Sequence, residues 1–143
     1  MARADLPEPG WAVAAGAELR QVFPGEECQL RVMRRWLAAS LPGCPVLDDV
    51  VSVASELGSN AIRHSATGRD GKFTVEVTHA ACWVQVAVSD DGGPGEPRVI
   101  AGADGEHGRG LVLVRGLSTR MGTDGGPGGR TVWARIDWDA HEH

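Results

Sequence analysis

Residues 46–65 carry two stripes at once, and no other segment of the chain constrains the fold as tightly. Val46, Val50, Val53, Leu57 and Ala61 recur at helical spacing and mark a face that must be packed. Ser52, Glu56, Asn60 and His64 follow one another at four-residue steps, on a line about 100° further round the axis. A helix with this pattern lays one face on other elements while the adjoining face looks into a cavity. A carboxylate, an amide and an imidazole on that second face suit the polar wall of a site that handles water, a metal ion and phosphate. The bland alternative, a solvated helix face, fits poorly with the apolar neighbours Leu57, Ala61 and Ile62.

The remaining chain supplies the layers against which such a helix could pack. Glu18 to Phe23 predicts a short strand, ended by Pro24-Gly25. A first helix is predicted from Glu26 to Leu41, with Leu30, Met33, Leu37 and Leu41 in helical steps, and Leu41-Pro-Gly-Cys-Pro45 stops it. Phe73, Val75 and Val77 alternate as a strand, as do Val84, Val86 and Val88, with His79 to Cys82 as their hairpin connection. Ser89 to Gly108 reads as loop, Gly110 to Leu117 as a third helix, and Arg130 to Trp138 as a last alternating strand, with an optional strand before it. The order β-α-α-β-β-(loop)-α-(β)-β lacks regular βαβ alternation. It predicts an α+β two-layer sandwich, a mixed, mostly antiparallel sheet with helices packed on one face. Residues 1–16 are expected to be an irregular arm, 17–139 the single domain and 140–143 a tail that includes the final His-Glu-His.

Composition narrows the functional classes. A net charge of −5 over 143 residues lacks the basic character of a nucleic-acid binder. No apolar run reaches the length of a membrane span, and the N-terminus has no charged-then-apolar export pattern. Cys28, Cys44 and Cys82 are odd in number and contain no C-x-x-C, so they read as reduced thiols of a cytoplasmic protein. The run Arg31, Arg34, Arg35 reads as a solvated helix face, and Trp133 and Trp138 as core or subunit-edge residues. Exposed edge strands in a small sheet make a homodimer compatible with this fold.

Three constellations carry chemistry. On the 46–65 helix, Glu56 can orient or deprotonate a hydroxyl, and the Asn60 amide oxygen is a hard ligand suited to Mg²⁺. The second is Val88-Ser-Asp-Asp-Gly-Gly-Pro-Gly95, where a carboxylate at a strand end can accept from an exocyclic amine while glycines admit a flat ring. Its register has two readings, Asp90 with Gly92 or, one step later, Asp91 with Gly93 and Gly95. The Val84, Val86, Val88 face continues to residue 90 and favours Asp90. The bland alternative is a surface turn. The third, Gly105-Glu-His-Gly-Arg-Gly-Leu-Val-Leu-Val114, places glycines before a helix, where free N–H groups can bind an anion. It lacks the lysine of a Walker A loop, and alone it could equally be a linker.

Taken in order, Glu-Leu-Gly-Ser-Asn-Ala-Ile-Arg-His, Asp-Asp-Gly-Gly-Pro-Gly and Gly-Arg-Gly-Leu resemble the N, G1 and G2 boxes of the GHKL ATPase superfamily. Gly129-Arg-Thr-Val-Trp133 is similar to its last box. The small size and the Glu-Leu-x-x-Asn-Ala-x-x-His spelling look like the stand-alone branch of bacterial anti-sigma-factor serine/threonine kinases, across about residues 18–138. This resemblance implies a Bergerat-type ATP-binding fold that takes ATP and Mg²⁺. It implies Glu56 as general base, Asn60 as Mg²⁺ ligand and His64 as a polar residue near the phosphates. Asp90 would read the adenine amine with Gly92 giving the ring room. His107, Gly108, Arg109, Gly110 and Leu111 would hold the phosphates, Thr131 would sit behind the adenine, and residues 96–107 would form a lid. The chain departs from the family pattern at Pro94, which leaves the choice between Asp90 and Asp91 open.

The resemblance further implies partners: a sigma factor, an anti-anti-sigma protein of the STAS type, or both, the second being phosphorylated on Ser or Thr. A nucleotide-gated binding module with little or no phosphotransfer is the alternative reading. A histidine-kinase catalytic domain ranks lower, because no helical phosphoacceptor segment is expected before residue 18.

Overall fold

The computed structural model describes residues 17–64, 71–90, 112–126 and 129–138. The expected arm 1–16, the tail 140–143 and the lid 96–107 lie outside the described residues. Five strands, β1 (Ala17–Pro24), β2 (Lys72–Ala80), β3 (Trp83–Asp90), β4 (Arg120–Gly126) and β5 (Gly129–Asp137), form one sheet in the order β1-β2-β3-β5-β4. Every pairing is antiparallel, so the mostly antiparallel sheet expected from sequence is borne out, with no parallel pair among the described strands. The reason lies in the connections. Both long helices are inserted between β1 and β2, which still run in opposite directions, and no strand-helix-strand crossover is needed.

Helix α1 spans Gln29–Ser40 and α2 spans Leu47–His64, and residues 112–117 form a short α3. Residues 26–28, expected in α1, are held in turns, with the N–H groups of Gln29 and Leu30 donating to the carbonyls of Glu26 and Glu27. At the other end the Leu41 N–H donates to Leu37 O, and Gly43 takes φ 81°, a left-handed turn that releases the chain towards α2. Asp48 and Asp49 lie in the first turn of α2, where carboxylates offset the helix dipole.

The helices cover one face of the sheet. Val50, Val53, Ala54, Leu57 and Ala61 of α2 are buried against Phe73, Val75 and Val77 of β2, Val84, Val86 and Val88 of β3, and Val132, Ala134 and Ile136 of β5. Alternation puts Thr74, Glu76, Thr78, Gln85, Ala87, Ser89, Thr131, Trp133 and Arg135 on the other face, all half-buried. Trp133 lies over Gly122 there, whereas Trp138 packs against the core. Val114 anchors α3, and the exposed Arg31, Arg34 and Arg35 sit as expected for a solvated face. The three cysteines are free, and burial pushes the Cys44 thiol up, an effect partly offset by its hydrogen bond to the Val46 backbone. Among the described residues no helix is long and apolar enough to cross a membrane.

Gly58 sets how closely the two long helices approach. A Cβ built there would stand 2.9 Å from Leu30 Cδ2, 3.5 Å from the Phe73 ring and 3.8 Å from Met33 Sδ. Gly58→Ala meets only the flexible end of Leu30 and gains about 1 kcal/mol of helix propensity, so it should be near neutral. Gly58→Val should cost about 1–3 kcal/mol by forcing α1 outward, read as a lowered midpoint in denaturant unfolding.

Candidate functional site

Gly58 faces α1, and Glu56 and Asn60 lie two residues to either side of it, about 200° round the helix. They therefore occupy the flank of α2 turned away from α1. Both are half-buried, in keeping with a stripe that borders the packed face. His64 is the last residue of α2, and its side chain lies outside what is described.

The level at which α2 crosses the sheet follows from Phe73. Its ring touches the Gly58 position, and the β2–β3 register that pairs Thr74 with Ser89 sets Phe73 level with Asp90. Asp90 in turn pairs with Arg130 of β5, which pairs with Gly125 of β4. One row across the sheet thus reads Phe73, Asp90, Arg130, Gly125, with the middle of α2 above it. Phe23 extends the row on β1 and is stacked on Phe73 at 5.4 Å between ring centroids. Gly125 ends the row with φ 96°, and a Cβ there would fall 2.3 Å from Gly129 O. Only glycine fits, so the β4–β5 turn delivers Arg130 at a fixed place.

Asp90 and Arg130 form a buried ion pair on the helix-covered face. Arg130 Nε lies 4.0 Å from Asp90 Oδ1, and each side chain is 8% exposed. Asp90 as a whole residue ranks as half-buried, but the carboxylate is the part that matters electrostatically and it is enclosed. The next rung carries a different pair on the opposite face: the Ser89 and Thr131 hydroxyls are hydrogen-bonded at 2.7 Å. Of the residues predicted for the site, the structure sets Glu56, Asn60 and Asp90 on or facing the helix-covered side. The Thr131 side chain is on the other side of the sheet. Gly92, His107, Gly108, Arg109, Gly110 and Leu111 lie outside the described residues. Arg130 is the residue that sequence reasoning passed over. Its signal was a charge at the first inward position of a strand whose later inward positions, Val132, Ala134 and Ile136, are apolar.

Comparison with known proteins now bears on this geometry. Residues 23–136 match the family model of the histidine kinase-like ATPase domain. The chain belongs to that family. A solved structure of the RsbU and RsbW domains of Rv1364c from Mycobacterium tuberculosis superposes with a TM-score of 0.62 at 20% identity, covering 87% of this chain and 33% of that one. At this identity the likeness concerns the fold, and this chain spans about a third of the length of that relative. No protein of curated function gives a significant match.

Membership of a histidine kinase-like ATPase family makes ATP the ligand to test against these residues. The row offers an enclosed carboxylate acceptor beside a guanidinium donor, which suits a heteroaromatic base better than an apolar ligand. Asn60 offers one neutral oxygen on the flank above, and a magnesium ion beside phosphates needs only one or two from the protein. The residues present fit the group.

Separating the ion pair should be costly. Asp90→Ala leaves the guanidinium buried without its counter-charge, and a loss of about 3 kcal/mol is expected. Asp90→Ala combined with Arg130→Met should lose less than the sum of the single changes, which a double-mutant cycle by urea unfolding will measure.

Proposed function

We propose that this chain is an ATP-dependent serine/threonine protein kinase of the anti-sigma type, which binds a sigma factor and phosphorylates an anti-anti-sigma partner on Ser or Thr. One observation carries the reading: Glu56 and Asn60 share the α2 flank that α1 leaves uncovered, at the level of the Asp90 row. Family membership supports the nucleotide, and the motif resemblance supports the branch. The basis for the partner is the Glu-Leu-x-x-Asn-Ala-x-x-His spelling on α2.

ATP with Mg²⁺ would supply a transferable phosphoryl group whose charge is already partly neutralised. The protein's part is positioning and proton handling. Asp90 would accept a hydrogen bond from the exocyclic amine of the base, fixing its orientation against the sheet. Asn60 Oδ1 would hold the metal ion, and His64 would stand at the phosphate end of α2. Glu56, one helical turn before Asn60, would accept at Oε the proton of the attacking hydroxyl. Gly92 would make room for the ring, and His107, Gly108, Arg109, Gly110 and Leu111 would hold the phosphates. Thr131, whose side chain is on the other face and bonded to Ser89, would support the base only indirectly, through the strand that carries Arg130.

Two measurements check this. With Mg²⁺, labelled ATP and candidate anti-anti-sigma proteins, the wild type should label a Ser or Thr. Glu56→Ala should lower that rate about 10²–10⁴-fold, the contribution of a general base, with ATP affinity retained. Equal inertness of both while both bind ATP removes the kinase reading and leaves a nucleotide-gated binding module. By calorimetric titration, Asn60→Ala should weaken Mg²⁺-dependent ATP binding by about tenfold, the size of one charge-assisted contact, and should leave the weaker Mg²⁺-free binding unchanged.

A further inference from the structure

Arg130 is the most unusual charge in the described residues. It is 8% exposed, on a face otherwise made of Val132, Ala134 and Ile136. Its ionic contact with Asp90 is at 4.0 Å, beyond hydrogen-bond reach, and its buried Nε–H has no hydrogen-bond acceptor among the described residues. A buried donor left without an acceptor is unfavourable unless a ligand or water supplies one. The strand register fixes where an acceptor would have to lie, because Arg130 and Asp90 are directly opposed on β5 and β3 and face the same side.

We infer that Arg130 is a second base-reading residue, its guanidinium donating to a ring nitrogen of the purine beside the amine that Asp90 accepts. This deepens the proposed function and rests on its assignment of Asp90. The chemistry matches the edge of adenine. N1 and N7 are acceptors: N1 is bonded to the carbon that carries the donor amine, and N7 lies one carbon further round, on the same edge as that amine. A carboxylate and a guanidinium side by side offer the complementary acceptor and donor. The contact also explains why a charged residue occupies an inward position of β5: at 4.0 Å the guanidinium gives the carboxylate a counter-charge without itself hydrogen-bonding to it. Arg130 is thus a specificity residue, acting on the base and remote from the phosphoryl transfer.

The test is a calorimetric titration of the intact chain with ATP, 1-deaza-ATP and 7-deaza-ATP, each of which deletes one ring acceptor, and with purine riboside triphosphate, which deletes the amine. Wild type should bind one of the two deaza analogues about tenfold or more weakly than ATP, the loss expected for a hydrogen bond to a charged donor. Arg130→Met should bind ATP that much more weakly and no longer distinguish it from the same analogue, and Arg130→Lys should restore part of the preference. A merely structural role for Arg130 would lower affinity for ATP and both deaza analogues alike. Equal wild-type affinity for ATP and both deaza analogues overturns the inference, and this arm needs no variant to fold. Sensitivity to the missing amine judges Asp90 separately. Failure to bind ATP at all would sink both the inference and the function it rests on.

Discussion

Gly58 lets α1 approach until Leu30 and Met33 stand where a side chain would otherwise project, while Val53, Leu57 and Ala61 seat the same helix on the sheet. Two packed sides leave α2 one free flank, and its rotation about its own axis is thereby fixed. A helix held on only one side could roll by tens of degrees and redistribute its polar residues. Held on two, it has a single low-energy setting, because close-packed interiors resist small shifts. The orientation of Glu56 and Asn60 is therefore a consequence of core packing, settled before any ligand chemistry is considered.

Strong periodicity made α2 legible. The predicted span 46–65 and the observed Leu47–His64 differ by one residue at each end, because Pro45 sits ahead of the helix and its apolar stripe is unbroken. The β2–β3 connection is shorter than the sequence suggests. His79 and Ala80 belong to β2, buried opposite Val84 and Trp83, where pairing outweighs the weak strand preference of alanine. β4 was legible only as an optional strand. Arg-Met-Gly-Thr-Asp-Gly-Gly has three glycines and little strand character, and its extended form comes from its neighbour β5. In the site, the inward direction of residue 90 could be read from Val84, Val86 and Val88. The partner across the row could not, since a charge at a strand's first position looks like a boundary until the register is known.

The two faces of the sheet carry different kinds of glue at adjacent rungs. Asp90 and Arg130 meet under the helices, where low polarisability makes an opposite charge valuable and an absent one expensive. Ser89 and Thr131 meet on the uncovered side through hydroxyls, which tolerate contact with water. Strand alternation alone produces this division. It also explains why Thr131 and Asp90, neighbours in the paired strands, present their side chains to opposite sides.

Chain connectivity gives the Asp90–Arg130 rung a second significance. β2–β3 and β4–β5 are hairpins with short connections, and each can form from nearby residues. β3 and β5 are joined only after a much longer stretch of chain has been closed, so this rung is the seam between two locally assembled halves. A molecule spanning that seam would draw both halves together, and its occupancy would register in the cooperativity of the entire domain, far beyond the few side chains it touches.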